Sequence, residues 1–448
     1  MEGKRYATKA ELARIGVPED FDDPLLFVFK AVSDNGANIK AAWNSGGRWV
    51  PCFDHSLELC TLPVTWVQKH AGNETIPKGS VAEAFAHGRG IVGYLHISTI
   101  AEADFHKAQQ KCGFAGTKID MDVKTRWRTA HNMGEQLLYN KAAILEMDKN
   151  PAYRDPGETW GKSKVSMTMW DYIEEGTAVL DKAAEASQHL EGDKYPTSSQ
   201  VIPMAFALMA TSSPSEQVKF RNRAEDELND DSLNPVKVVH ILLTDKIQAA
   251  RKAYHEKLID KFDAEVPRDV KKFWFVASLL DPRFKKLTFQ NDRLVTPEMR
   301  IAAVRWMMYE FNKVFKGKVA AAAPQPNPPD GPPHRKRRKT STAGFFADSD
   351  DSSSDEATPA AAEDELAAYL ALPQVRLKDV DNPLEWWKQH AEEYPNVAVM
   401  ARQYSGCPAS SAAVERLFSQ VGIAWSAKRK RGQAGTIEDI MFARVNLP

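Results

Sequence analysis

The chain has 448 residues, which is long enough for two or three domains with sizeable cores. Its 43% hydrophobic and 27% charged residues are typical of a globular protein, and the formal net charge of −1 excludes polyanion binding through overall charge. Four scattered cysteines do not form a disulfide framework, so we expect a reducing compartment. The sequence shows neither an apolar run of membrane-spanning length nor a signal-peptide pattern, and we therefore expect no membrane partner.

The N-terminal part predicts a short α/β unit. Residues 1–23 are polar and stay unassigned, whereas the apolar run 25–32 predicts a strand that is buried on both faces. This strand ends at Asp34 in the turn sequence Asp-Asn-Gly, and a helix follows through residues 41–43. Residues 48–52 predict a second short strand, in which Pro51 favours an edge or a strand end.

From residue 56 to 317 the apolar residues recur at helical spacing almost throughout. One such stripe runs from Ile247 to Phe262 behind Thr244, which is a candidate helix cap. Another helix is predicted to end just before Asp281, because Pro282 disfavours helical backbone at the residue that precedes it.

Residues 318–363 predict a disordered linker, because their composition cannot bury enough apolar surface to offset the entropy of ordering. Within the linker lies a cationic run that is typical of a nuclear-import signal or a nucleic-acid contact, with a merely solvated linker as the alternative. The run consists of Arg335, Lys336, Arg337, Arg338 and Lys339.

The last block, residues 364–448, predicts several helices. A helix that starts after Pro408 carries an apolar stripe, which we interpret as core and dimer-block packing. The stripe consists of Val414, Leu417, Phe418 and Val421. Glu415 lies at the edge of that stripe, where a glutamate is ordinarily solvated. A closing helix is predicted from about residue 437 to 447.

Three groups of residues have a chemical interpretation beside a structural one. Asp34 is placed as a metal-binding carboxylate at a strand end, or as a turn aspartate that bonds its own backbone. Cys52 and His55 form a C-x-x-H spacing. Because the sequence shows no second ligand pair, we do not expect a structural zinc site. Two interpretations remain, which are a histidine that contacts a phosphate and simple packing. Trp127, between Arg126 and Arg128, suits base stacking or a core position.

Together these residues resemble the hAT superfamily of DNA transposases and their domesticated relatives, over roughly residues 24–448. The segment 122–127 resembles the family's tryptophan motif, and residues 279–285 read Leu-Leu-Asp-Pro-Arg-Phe-Lys, like its L-D-P-R-F-K signature. Residues 383–388, the Tyr394-Pro395 pair and residues 410–419 resemble its C-terminal dimerisation region.

The resemblance implies a ribonuclease-H-like core with a D-D-E triad that holds two divalent metals, Mg²⁺ or Mn²⁺, for cleavage and transfer of DNA strands. By the family's pattern, Asp34 corresponds to the second catalytic aspartate and Glu415 to the glutamate. The same pattern places Cys52 and His55 beside the scissile phosphate and stacks Trp127, next to Arg126, on a flipped base.

The sequence departs from the family at the first aspartate. We find no counterpart of that residue or of the Trp-Thr pattern that follows it. The first three core strands and a BED-type zinc finger are not found either. We therefore predict a mainly α chain whose ribonuclease-H-like α/β core is incomplete and interrupted by an all-helical insertion. The predicted boundaries are an unassigned segment 1–23, a partial core 24–55, the insertion 56–317, the linker 318–363 and the dimerisation block 364–448.

Three functions remain open at this stage. The first is a hAT-derived nuclear protein that dimerises and contacts DNA, with vestigial Asp34 and Glu415 and no metal cofactor, because two-metal catalysis fails when one of three carboxylates is missing. The second is a fragment of an active transposase that hydrolyses phosphodiesters with a divalent metal. The third is a dimeric scaffold without DNA contact.

Overall fold

The computed structural model describes residues 29–44, 47–65, 76–114, 116–122, 127–155, 157, 159–221, 238–240, 243–288, 295–315 and 365–424. Several predictions lie outside these residues. They are those for residues 1–28, Arg126, the linker with its cationic run 335–339, the side chain of Val421 and the closing helix 437–447.

The described part of the chain is mainly helical, as predicted. Its helices are α1 (Ala37–Asn44), α2 (Phe53–Thr65), α3 (Val81–Ile97), α4 (Thr99–Lys111), α5 (Trp127–Tyr139), α6 (Lys141–Met147), α7 (Thr159–Lys162), α8 (Met167–Leu190), α9 (Val201–Ser212), α10 (Asp245–Ile259), α11 (Arg268–Leu279), α12 (Pro297–Phe315), α13 (Glu365–Ala371), α14 (Pro383–His390), α15 (Pro395–Ser405) and α16 (Ala412–Ala424). The strands are β1 (Ala31–Ser33), β2 (Trp49–Pro51), β3 (Lys219–Arg221) and β4 (Val238–His240).

The first two strands and the helix between them form a parallel βαβ unit. Strand β1 pairs with β2 so that Ala31 lies opposite Trp49 and Ser33 opposite Pro51, which places Pro51 at a strand end as predicted. The prediction of a strand buried on both faces was wrong for the described residues, because all of β1 is only half-buried. The described sheet offers β1 one neighbouring strand, β2, whose own residues are buried. A ribonuclease-H-like core stays a prediction.

The predicted insertion is not entirely helical. Strands β3 and β4 pair antiparallel, with Lys219 opposite His240. The β-branched Val238 and Val239 favour extended backbone at this position, which helical periodicity elsewhere in the segment does not reveal. Helix α10 begins after Thr244 as expected, but the Thr244 hydroxyl makes no cap bond and donates instead to Glu175 at 2.8 Å.

Two hydrophobic cores share the long helix α8. Its N-terminal half, with Trp170 and Ile173, packs in a core that includes much of α3 to α7. Its C-terminal half, with Leu180 and Leu190, packs in a larger core that includes α2, α9, α11 and the C-terminal block. A 24-residue helix is about 36 Å long, so a single helix reaches through both cores and fixes their relative positions.

The segment after α11 attaches the C-terminal block to the bundle. Helix α11 ends at Leu279, as the following proline predicts, and Asp281 and Arg283 then form a buried ion pair at 2.8 Å. Arg283 also donates to the Asp381 carbonyl at 2.7 Å, and Lys285 donates to the Tyr369 carbonyl at 2.8 Å. The Leu-Asp-Pro-Arg-Phe-Lys motif therefore joins the bundle to the C-terminal block through buried polar contacts.

Two global expectations can be compared with the described residues. Within them, no helix combines the length and apolar character needed to cross a membrane. All four cysteines are free thiols, and Cys112 alone among them is not buried.

Candidate functional site

The start of helix α2 lies against the start of helix α16. Cys52 precedes α2, and its carbonyl oxygen accepts a hydrogen bond from the Ser56 amide at 3.1 Å. Its sulfur accepts the Ser411 amide at 3.3 Å, and the Phe53 amide donates to the Ala409 carbonyl at 2.9 Å. These bonds bring together two segments that are separated by more than 350 residues.

This contact places the C-x-x-H pair beside Glu415. His55 Nδ1 lies 3.8 Å from Glu415 Oε1, and both side chains are partly exposed, at 33% and 41%. The Ser411 hydroxyl, at the start of α16, donates to the same Oε1 at 2.9 Å. The structure therefore assembles Cys52, His55 and Glu415 into one site.

The electrostatics of this site favour a charged histidine. The pKa of His55 is raised to about 9, mainly because the ring contacts the Cys52 thiol, with further contributions from Glu415 and Glu58 that outweigh partial burial. The pKa of the Cys52 thiol is lowered: burial raises it, but the contacts with His55 and Ser411 outweigh the burial. A position at a helix N-terminus beside a cationic ring favours a thiolate, although the fully buried Cys52 is closed to reagents.

Asp34 lies directly after β1 and closes a turn. Its Oδ1 accepts the Gly36 amide at 3.2 Å, the contact of a turn aspartate that bonds its own backbone. Glycine at position 36 suits this turn, because an added Cβ would lie 3.0 Å from the same oxygen.

Among the described residues, three potential ligand atoms lie within 4.8 Å of one another at His131, Glu135 and Asp181, a group that includes neither Asp34 nor Glu415. Glu415 Oε1 is engaged by Ser411 and His55, and Asp34 Oδ1 by its own turn.

Trp127 is a core residue in this structure. It begins α5, is 7% exposed and belongs to the same core as Phe53 and Leu57 of α2. Its neighbour Arg128 forms an ion pair with Glu191 at 3.0 Å. Stacking of Trp127 on a base therefore requires that the indole first leave this core.

Asp54 is a buried carboxylate that our sequence reasoning did not single out. Its Oδ1 accepts the Ser187 hydroxyl of α8, and its Oδ2 is buried without a hydrogen-bond partner in the structure. Burial raises its pKa to about 6, against the opposing influence of the nearby Ser187 and Ser410 hydroxyls. The sequence gives no signal for this, because an acidic residue in the first turn of a helix is ordinarily an exposed partner of the helix dipole.

The raised pKa of Asp54 predicts that folding stability falls as pH rises. The folded state binds the proton more tightly than the unfolded state, so the loss occurs between about pH 4 and pH 6 and persists above it. Its size is about 3 kcal/mol at most. We expect Asp54→Asn to flatten the dependence in urea unfolding between these pH values.

The matched control for Asp54 is Glu102→Gln. The hydrogen bond from Lys118 lowers the pKa of Glu102, so that carboxylate adds stability as pH rises, and its removal cannot flatten a falling profile. An Asp54→Asn profile that still falls with pH as steeply as the unmodified chain's would contradict the assignment of the effect to Asp54.

Comparison with known proteins identifies the class of the C-terminal block. Residues 365–447 match the hAT family C-terminal dimerisation region, and the part of this match that is described contains α13 to α16. The chain is also similar to the human zinc finger BED domain-containing protein 4, at 23% identity over 420 residues, which is 93% of this chain. The chain spans about a third of that relative's length, 31%.

These two findings support the resemblance that the motifs predict. Residues 365–447 of this protein form a hAT C-terminal dimerisation region.

Proposed function

We propose that this protein is a nuclear, hAT transposase-derived dimer that contacts DNA and does not cut it on its own. The observation that carries the proposal is an exposed apolar face on α16, inside the region that matches the dimerisation family. Val414 and Phe418 on this face are 52% and 66% exposed.

The sequence predicts core and dimer-block packing for this stripe, and the exposure corrects the core packing alone. Val414, Leu417 and Phe418 follow the expected helical spacing, yet Leu417 is only half-buried and the other two are exposed. Amphipathic spacing shows that a helix face requires an apolar partner, but the partner need not be in the same chain. An exposed apolar patch of this kind is typical of an interaction surface.

The first experiment on this proposal is the mass of the protein in solution. One chain has a mass of 50.0 kDa, so sedimentation equilibrium should give twice that value for the dimer. A mass of one chain at micromolar concentration would refute the dimer. A mass of three or more chains would support self-association but contradict a dimer.

The proposed DNA contact rests on His55. Its raised pKa keeps the ring cationic at neutral pH, and it lies in the first turn of α2, where the helix dipole favours an anion. The nuclear location and a further DNA contact rest on the cationic run 335–339 of the sequence. The relative's printed name includes a BED zinc finger domain, which is a property of that protein.

We expect duplex DNA to bind the 448-residue chain more weakly as salt rises, because phosphate contacts release counterions. His55→Gln should weaken binding and reduce the salt dependence, whereas Gln substitution of His87, which contacts the Lys164 carbonyl away from this site, should not. Fluorescence anisotropy of labelled duplex between 50 and 200 mM salt measures both. Binding that is absent or independent of salt would favour a scaffold instead.

The absence of cutting is tested with the same duplex and Mg²⁺ or Mn²⁺. We expect intact DNA, because the sequence shows no counterpart of the family's first catalytic aspartate and two-metal catalysis uses all three carboxylates. Metal-dependent nicks that disappear in Glu415→Gln would refute this expectation. They would favour the second function, in which the chain is part of an active transposase. That function is compatible with a chain that spans 31% of the relative's length.

A further inference from the structure

A histidine and two carboxylates meet between helices α5 and α8, outside the site described above. His131 and Glu135 lie one turn apart on α5, and Asp181 lies on α8. One ligand atom from each of the three lies within 4.8 Å of the others. His131 Nε2 and Asp181 Oδ1 are already in contact at 2.8 Å.

We propose that His131, Glu135 and Asp181 bind a divalent transition metal, with Zn²⁺ as the best fit. One imidazole nitrogen and two carboxylate oxygens are ligands that Zn²⁺ accepts, with a water as the fourth. Ligand atoms around a tetrahedral Zn²⁺ are about 3.3 Å apart, so small side-chain movements convert the observed spacing into a coordination shell.

The surroundings of the cluster point to a polar ligand. His131 is 7% exposed, and its Nε2 faces Asp181. Thr177, one turn before Asp181 on α8, is fully buried, and its hydroxyl lacks a hydrogen-bond partner. A buried hydroxyl without a partner is costly, and a metal-bound water supplies one at such a place.

The backbone holds the two helices close at this level. A Cβ added to Gly134, the residue before Glu135, would lie 2.5 Å from the Thr177 hydroxyl oxygen, so only glycine permits this approach of α5 to α8. A metal held by both helices cross-links them one turn from Trp127, the residue that begins α5. The site thus stabilises the end of the bundle that supports the functional site.

The alternative is a purely structural His131–Asp181 hydrogen bond, and Glu135→Gln separates the two. This substitution removes a charged ligand and leaves the His131–Asp181 contact intact. Glu185→Gln is the matched control, because Glu185 lies one turn after Asp181 on α8 and pairs with Lys182 on the surface. Neither variant removes a residue from the core, so both should fold.

The test is a calorimetric titration of the metal-free 448-residue chain with Zn²⁺ at pH 7.5, and with Co²⁺ as a spectroscopic probe. We expect Glu135→Gln and Asp181→Asn to lose one bound metal per chain or to bind it at least tenfold more weakly, with the Co²⁺ absorption reduced in parallel. Glu185→Gln should titrate like the unmodified chain. An unmodified chain that binds no Zn²⁺, or a Glu135→Gln variant that binds it unchanged, would overturn the proposal.

Discussion

Replacement of Arg283 by methionine should destabilise the protein by about 3–5 kcal/mol, because the change leaves the buried carboxylate of Asp281 without its cation. Both side chains of this pair are 1% exposed, and Arg283 makes contacts to Asp281 through its backbone amide, Nε and Nη2. The bond from Arg283 to the Asp381 carbonyl would also be lost. Urea unfolding at pH 7 measures the loss.

Two controls define the cause of this destabilisation. The double variant Asp281→Leu/Arg283→Met removes both charges and should recover most of the stability, as replaced buried pairs do in other proteins. The exposed pair of Arg376 and Asp379 has the same charges on the surface, so Arg376→Met should cost less than about 1 kcal/mol. Equal losses of stability in Arg283→Met and Arg376→Met would contradict a stabilising role of the buried Asp281–Arg283 pair.

Replacement of Phe418 by glutamate should dissociate the dimer. A buried aromatic anchor at an interface contributes about 2–4 kcal/mol, which corresponds to a roughly 30- to 1,000-fold loss of affinity, and a charge in the same place adds a desolvation cost. Phe418 is exposed in the single chain, so the substitution should leave the fold and the circular dichroism spectrum unchanged. Sedimentation equilibrium measures the change in association.

The matched control for Phe418 is Ile97→Glu. Ile97 ends α3, is 86% exposed and lies far along the chain from the dimerisation region, so it adds the same charge to an exposed apolar position. We expect this variant to remain a dimer. Dissociation by Ile97→Glu, or a Phe418→Glu variant of unchanged mass, would remove α16 from the interface.

The sequence predicts local structure well where short-range chemistry decides it. Pro282 correctly predicts the end of α11, and the Asp-Asn-Gly turn correctly predicts helix α1. The alternative interpretation of Trp127 as a core residue also agrees with its burial in the structure. In each case the relevant neighbours lie within a few residues or on one helix face.

The predictions fail where the answer depends on distant parts of the chain. Asp54 resembles an ordinary first-turn acid until Ser187 and the start of α16 bury it, which raises its pKa. The contact between Cys52 and Ser411 spans most of the chain and leaves no local signal. The stripe on α16 has the right spacing, but spacing alone cannot distinguish a core from an interface with a second copy.

In the proposed dimer, two copies of the chain meet through α16. The most direct test is oxidative cross-linking of Val414→Cys and Phe418→Cys, each in a Cys112→Ser background, because Cys112 is the only native cysteine that is not buried. In a two-fold symmetric dimer a residue near the axis lies close to its own copy. We predict cross-linked dimers for at least one of these positions and none for Ile97→Cys. Cross-linking at Ile97→Cys but at neither α16 position would contradict an interface formed by α16.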